Sequence, residues 1–113
     1  MQDLIAEIKA FNREREWDQY HSPKNLSMAL TVEVAELLEV FQWLSEDESR
    51  HLPPAKQQAA EEEIGDVTIL LLALAEELGV DLLEAARKKL QRNRAKYPVT
   101  KARGRAEKYN ELG

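Results

Sequence analysis

A chain of 113 residues supports one domain, and at this size much of the surface stays uncovered unless copies associate. It has no cysteine, which excludes disulfides and thiolate metal sites and makes the cytoplasm the expected compartment. With 16 Lys and Arg against 21 Asp and Glu, the formal charge of -5 opposes attraction to polyanions and argues against DNA or RNA as a partner.

The first predicted helix runs roughly from Gln2 to Trp17, with Leu4, Ile8 and Phe11 at helical spacing. Its acids, Asp3 and Glu7, set it apart from the basic-then-apolar pattern of a signal peptide. Asp18 to Asn25 reads as a loop in which Ser22 or Asn25 can cap the next helix. That second helix extends to about Leu44, and Ser45 to Leu52 is a polar linker. Pro53-Pro54 then suits the start of a third helix reaching about Leu78, where Gly79 supplies a left-handed stop. Its most apolar stretch, Val67 to Ala75, is much shorter than the roughly 20 residues of a membrane span, so it is expected to be core. Asp81 followed by Glu84 resembles a capping box opening a fourth helix, which ends before Pro98. The expected architecture is therefore all-α, a four-helix bundle-like protomer over residues 1–98. Residues 99–113 form a basic tail, expected to be extended or loosely ordered.

The second and third helices carry a near-repeat. Glu33-Val34-Ala35-Glu36-Leu37 on one matches Glu63-Ile64-Gly65-Asp66-Val67 on the other. At about 100° per residue, the stripes Val34, Leu37, Phe41, Leu44 and Ile64, Val67, Leu71, Leu74 occupy equivalent angles relative to the first Glu. Taken as core faces, these stripes put two carboxylates from each helix beside the packing surface. Glu62 points further out than Glu63. A single Glu pair of this spacing usually marks a solvated surface. Two pairs in the same relation to their stripes imply that four carboxylates converge, which is unfavourable without a cation. Mg²⁺ fits an all-oxygen donor set, and no His or Cys pair suggests zinc.

Charge elsewhere is segregated. Arg87 to Lys108 is dominated by Lys and Arg, with Glu107 as its single acid, whereas acids dominate Glu33 to Glu63. Lys89, Asn93 and Lys96 fall at spacings of four and three on one helical face, just before Tyr97-Pro98, and offer donors to phosphate oxygens. Trp17, Tyr20, His21, Phe41 and Trp43 group at the ends of the first two helices; the indoles can stack on a base and His21 can hydrogen-bond its edge. Ordinary core packing competes with that reading for the tryptophans. The third helix carries Ile69 and Leu72 on the side opposite its stripe and is apolar nearly all round, so a second subunit is expected to cover it.

With these motifs in hand, the sequence resembles the MazG-like all-α nucleoside triphosphate pyrophosphohydrolases, and within them the dCTP pyrophosphatase branch. The carriers are Glu33-Val-Ala-Glu36 and Glu63-Ile-Gly-Asp66, preceded by Arg15-Glu16-Trp17 and His21-Ser-Pro-Lys-Asn25-Leu26. Phe41-Gln42-Trp43 and Lys89 through Asn93 to Lys96-Tyr97-Pro98 complete the series. The resemblance implies Mg²⁺ ligation by Glu33, Glu36, Glu63 and Asp66, and enclosure of the base by Trp17 and Trp43. It also implies sugar and phosphate contacts from Lys89, Asn93, Lys96 and Tyr97, and a homo-oligomer, commonly a tetramer built from dimers. Some relatives in this branch carry Tyr four residues after the last metal ligand; this chain has Leu70, which bears on base preference.

The expected reaction is Mg²⁺-dependent hydrolysis of dCTP or a modified dCTP to the monophosphate and pyrophosphate. Glu33 or Glu36 is expected to act as the base for water. The competing readings are a dUTP or other non-standard nucleotide pyrophosphatase, a non-catalytic helical interaction module, and, weakest because of the overall acidity, an RNA-binding bundle using Lys101, Arg103, Arg105 and Lys108.

Overall fold

The computed structural model describes residues 1–106, in which every regular element is helical. Six α-helices occur among them: α1 Gln2–Glu14, α2 Pro23–Phe41, α3 Glu46–Ser49, α4 Pro54–Glu77, α5 Leu82–Lys96 and α6 Val99–Ala102. A single 3₁₀ turn, Asp18–Tyr20, joins α1 to α2. No helix among the described residues is long and apolar enough to cross a membrane.

The chain divides into two compact units at Gly79. In the first, α2 and α4 form the principal packed pair, and α1 lies against α4. As α2 advances through positions 26, 33 and 39, the α4 residues sharing its cavities and its carboxylate cluster retreat through 72, 63 and 56. The two helices are therefore antiparallel. A line of buried and half-buried residues runs down the facing side of each helix: Leu26, Leu30, Glu33, Leu37 and Val40 on α2, and Ala60, Glu63, Val67, Leu70 and Leu74 on α4. Both lines follow a spacing of three and four, the signature of a helix-helix seam.

Local chemistry explains most of the boundaries. Ser22 caps α2, its Oγ accepting from the Asn25 backbone N–H at 3.1 Å, with Pro23 at the first helical position. The Asn25 side chain instead donates to the Tyr20 carbonyl at 2.9 Å, tying the 3₁₀ turn to α2. Gly79, at φ 65°, ends α4 as expected, and the Asp81 side chain accepts from the Glu84 N–H at 3.0 Å to open α5.

Four expectations are corrected. α1 stops at Glu14 rather than Trp17, because Glu16 adopts φ 56°, the Trp17 N–H donates to the Asn12 carbonyl at 2.9 Å and the Glu16 N–H to Arg13 at 3.0 Å. These bonds make a Schellman stop with glutamate where glycine is usual. The linker after α2 contains α3, a one-turn helix closed by a capping box: Ser45 Oγ accepts from the Glu48 N–H at 3.1 Å, and Glu48 Oε1 accepts from the Ser45 N–H at 2.8 Å. Donation from the Ser45 backbone N–H, and secondarily from its hydroxyl, holds the Glu48 carboxyl below its usual value. The basic tail contains the turn α6, started by Pro98; Lys108 and the rest of the tail from 107 onward lie outside the described residues.

The fourth correction concerns the core. Of the expected stripes, Val34, Ile64 and Leu71 are exposed and the remainder half-buried. Leu72, expected on the far side of α4, is 1 % exposed, matched by Leu26 at 1 %. A helix that is apolar nearly all round turns more than one face inward: Leu72 shares a small cavity with Ile5 and Ile8 of α1 as well as with Leu26 of α2.

Candidate functional site

Glu33 and Glu63 stand in the seam itself, at positions where the neighbouring turns carry Leu30, Leu37, Ala60 and Val67. One carboxylate oxygen each from Glu33, Glu36 and Glu63 lie within 4.8 Å of one another. Glu33 Oε2 and Glu63 Oε2 are shielded from solvent and have no hydrogen-bond partner among the described residues. Buried anionic oxygens without a partner are strongly disfavoured, so the arrangement has the donor atoms of a cation site.

Proton affinity records the same conflict. Burial raises the Glu33 carboxyl above its ordinary value, and the neighbouring Glu63 and Asp66 charges push in the same direction, partly countered by a hydrogen bond with Glu36. Glu36 is raised chiefly by its hydrogen bond to Glu33 and by that group's charge. Asp66, one turn beyond Glu63, lies outside the close triplet but near enough for its charge to act on Glu33. An all-carboxylate cluster of this kind fits a hard divalent cation such as Mg²⁺, which prefers oxygen and retains several waters.

Beyond the carboxylates, toward the C-terminal half of α4, lies a cavity of about 320 Å³ lined by Phe11, Trp17, His21, Ile69, Leu70 and Ala73. Phe11 and Trp17 meet edge to face, centroids 5.6 Å apart at 74°, and Trp17 meets His21 at 6.4 Å and 65°. The Arg15 guanidinium caps the outer side of Phe11, 3.7 Å from its centroid. The left-handed Glu16 reverses the chain between Arg15 and Trp17 and so belongs to the same construction. A second, smaller cavity of about 50 Å³ adjoins this one behind His21 and Ile8, and the Lys9–Glu76 ion pair at 3.0 Å spans two of its lining residues.

The expected single group of aromatics is not formed within one protomer. Trp17 and His21 come together with Phe11, whereas Phe41 and Trp43 lie at the far end of α2. Leu26 and Phe41 are fifteen residues apart on one continuous helix, about 22 Å at 1.5 Å per residue. Trp43 is 87 % exposed and Tyr20 is also open to solvent.

The remaining expected residues belong to the second unit, in which Lys89, Asn93 and Lys96 follow one another along α5 and Tyr97 caps its C-terminus by donating its backbone N–H to the Asn93 carbonyl at 2.8 Å. Asn93 and Tyr97 are half-buried. Sequence reasoning overlooked the walls formed by Phe11 and Ala73, and it had given Ile69 to a face covered by a second subunit. It also overlooked Lys56, two turns before Glu63 on α4; the i, i+7 spacing was the available signal.

Comparison with known proteins adds independent findings. The model of the MazG-like family matches residues 28–112. The chain is 47 % identical to dCTP pyrophosphatase 1 of Mus musculus over 114 aligned positions, covering 99 % of this chain and 67 % of that protein. The corresponding protein of Homo sapiens is 44 % identical, with the same coverages. Among solved structures, a pyrophosphatase from Archaeoglobus fulgidus superimposes with a TM-score of 0.83 at 41 % identity, covering 87 % of this chain and 92 % of that one.

Proposed function

The chain belongs to the MazG-like family and is a nucleoside triphosphate diphosphatase, and from that premise we propose that it hydrolyses dCTP or a modified dCTP to the monophosphate and pyrophosphate with Mg²⁺. The observation that carries this reading is the convergence of Glu33, Glu36 and Glu63 with two buried, unpartnered oxygens. Glu33, Glu36, Glu63 and Asp66 would hold Mg²⁺, which when bound supplies neutralisation of the triphosphate and of the charge that grows on the departing oxygen. Glu33 or Glu36 accepts the proton of the attacking water. The Phe11–Trp17–His21 cavity takes the base, with indole stacking and the His21 ring at its edge. Leu70 lines that cavity, so its wall offers an apolar contact instead of a phenol hydroxyl, which suits a pyrimidine whose ring carries an apolar substituent.

Lys89, Asn93, Lys96 and Tyr97 contribute sugar and phosphate contacts, and Trp43, too distant to serve its own protomer's pocket, encloses the base of a neighbouring one. The active form is a homo-oligomer, a tetramer of paired dimers, which supplies cover for Val34 and Leu38 on α2 and for the row Ile64, Leu71 and Leu78 on α4. The cytoplasm suits a cysteine-free chain, and the acidic balance leaves DNA and RNA outside its partners.

A panel of dCTP, 5-modified dCTP, dUTP and dATP, scored by pyrophosphate release with Mg²⁺ and with a chelator, tests the proposal. The cytosine nucleotides should lead and the chelator should silence them. Preference for dUTP would move the substrate assignment, and release from none of them would sink the hydrolase reading. Glu36→Gln should lower turnover by at least about 10³-fold while leaving the far-ultraviolet dichroism unchanged; full activity in that variant refutes its role.

A further inference from the structure

Six residues at spacings of three and four, Lys56, Ala59, Glu63, Asp66, Leu70 and Ala73, run in one row down a single face of α4. The upper pair, Leu70 and Ala73, belongs to the cavity assigned to the base. The middle pair carries two of the carboxylates. The lower pair, Lys56 and Ala59, lines a separate hollow of about 440 Å³ whose other walls include Glu36, Glu39 and Glu63. This hollow therefore opens directly from the carboxylate cluster, on the side away from the base cavity. Lys56 is exposed and, among the described residues, contributes the hollow's one positive charge and makes no ion pair, although three carboxylates share the hollow with it. Ala59, between Lys56 and Glu63, leaves the groove floor open.

Helical rise places Leu70 and Lys56 each about 10 Å from Glu63 along the axis, in opposite directions. A nucleoside triphosphate has the same linear order: base, bridging phosphates at the metal, terminal phosphates beyond. We propose that Lys56 binds the terminal phosphates and retains the pyrophosphate product, an assignment that rests on the hydrolase reading above. In the reaction, the oxygen of water bonds to one of the two phosphorus atoms flanking the α–β bridge. The bond from that phosphorus to the bridging oxygen breaks, its electron pair stays on that oxygen, and Glu33 or Glu36 takes the water's proton. Lys56 holds the two phosphates that become pyrophosphate and offsets their charge, which the surrounding acids would otherwise repel.

The test measures product binding by calorimetry in the full-length chain with Mg²⁺ present. Lys56→Ala should weaken inorganic pyrophosphate by roughly 10- to 100-fold, the range for one charge-assisted contact, while dCMP binds within about twofold of the unchanged chain. Mg²⁺ alone should bind Lys56→Ala no more weakly, since one positive charge has left the site. Lys56→Arg should restore most of the pyrophosphate affinity. Pyrophosphate binding within about twofold of normal in Lys56→Ala, or an equal loss for dCMP, overturns the assignment while leaving the hydrolase intact. An unmodified chain that neither binds pyrophosphate nor releases it from any nucleotide overturns both together.

Discussion

The α2–α4 pair has two halves of opposite character. Around Leu26, Leu72 and Ala75, where α1 also packs against α4, apolar side chains are shielded from solvent; two helical turns away, Glu33, Glu36 and Glu63 are carboxylates that repel one another. The first half gains from water's exclusion and the second is penalised by it. The contrast teaches that the chain concentrates its stability at one end of a helix pair and uses that rigidity to hold a destabilised charge cluster at the middle, where the proposed cation and triphosphate would bring the compensation.

The sharpest way to separate the halves is to damage the dry one. Leu72→Ala should cost roughly 2–5 kcal/mol, visible as a large drop in the denaturant midpoint, because a fully buried leucine leaves a cavity that helices cannot readily collapse. A loss below about 1 kcal/mol would mean that the stability resides elsewhere. The complementary change is Glu63→Leu, which turns the charged half into more of the dry one. It should stabilise the metal-free protein by about 1–2 kcal/mol in chemical unfolding while eliminating Mg²⁺ binding and turnover. A destabilised Glu63→Leu protein would show that the acids are not in conflict.

Titration sharpens the comparison further. Glu33 and Glu36 hold protons more tightly in the folded chain than at the ordinary value of 4.5. That contribution to stability is fully present below the unfolded-state value and is lost as pH rises through the raised folded-state values. Metal-free protein should therefore melt at a lower temperature near pH 8 than near pH 5, and added Mg²⁺ should recover most at the higher pH. Melting curves in chelator and in Mg²⁺ across this range decide it; a chelated protein that is more stable at pH 8 contradicts the cluster's electrostatics. The smallest effect belongs to the end of α1, where Glu16→Gly should raise stability by about 0.5–1 kcal/mol by relieving a left-handed glutamate, with the Trp17 fluorescence unchanged.

Legibility in the sequence followed the range of the forces involved. Ser22, Gly79 and Asp81 announced helix ends because a cap needs only three or four neighbouring residues, and the paired acids on α2 and α4 stood out because each is confined to one turn. The Schellman stop at Glu16 was hidden, since no glycine marks it. The Ser45–Glu48 box was present in the letters, but without an apolar run behind it the segment read as a linker. The inward faces of α4 could not be chosen from α4 alone, because Leu71 and Leu72 are equally apolar and only the helices packed on α4 distinguish them. For the same reason Trp43 could not be placed: its distance from Trp17 depends on the unbroken length of α2, not on how few residues separate the motifs.

The antiparallel hairpin also sets which parts of the gene can vary in length. One residue inserted between Leu26 and Glu33, or between Glu63 and Leu72, would swing the carboxylate about 100° around its axis relative to the anchoring leucine. Residues 45–53, which follow Trp43 and join the two helices, carry no such constraint, so insertions and deletions tolerated by this lineage should accumulate in that connector.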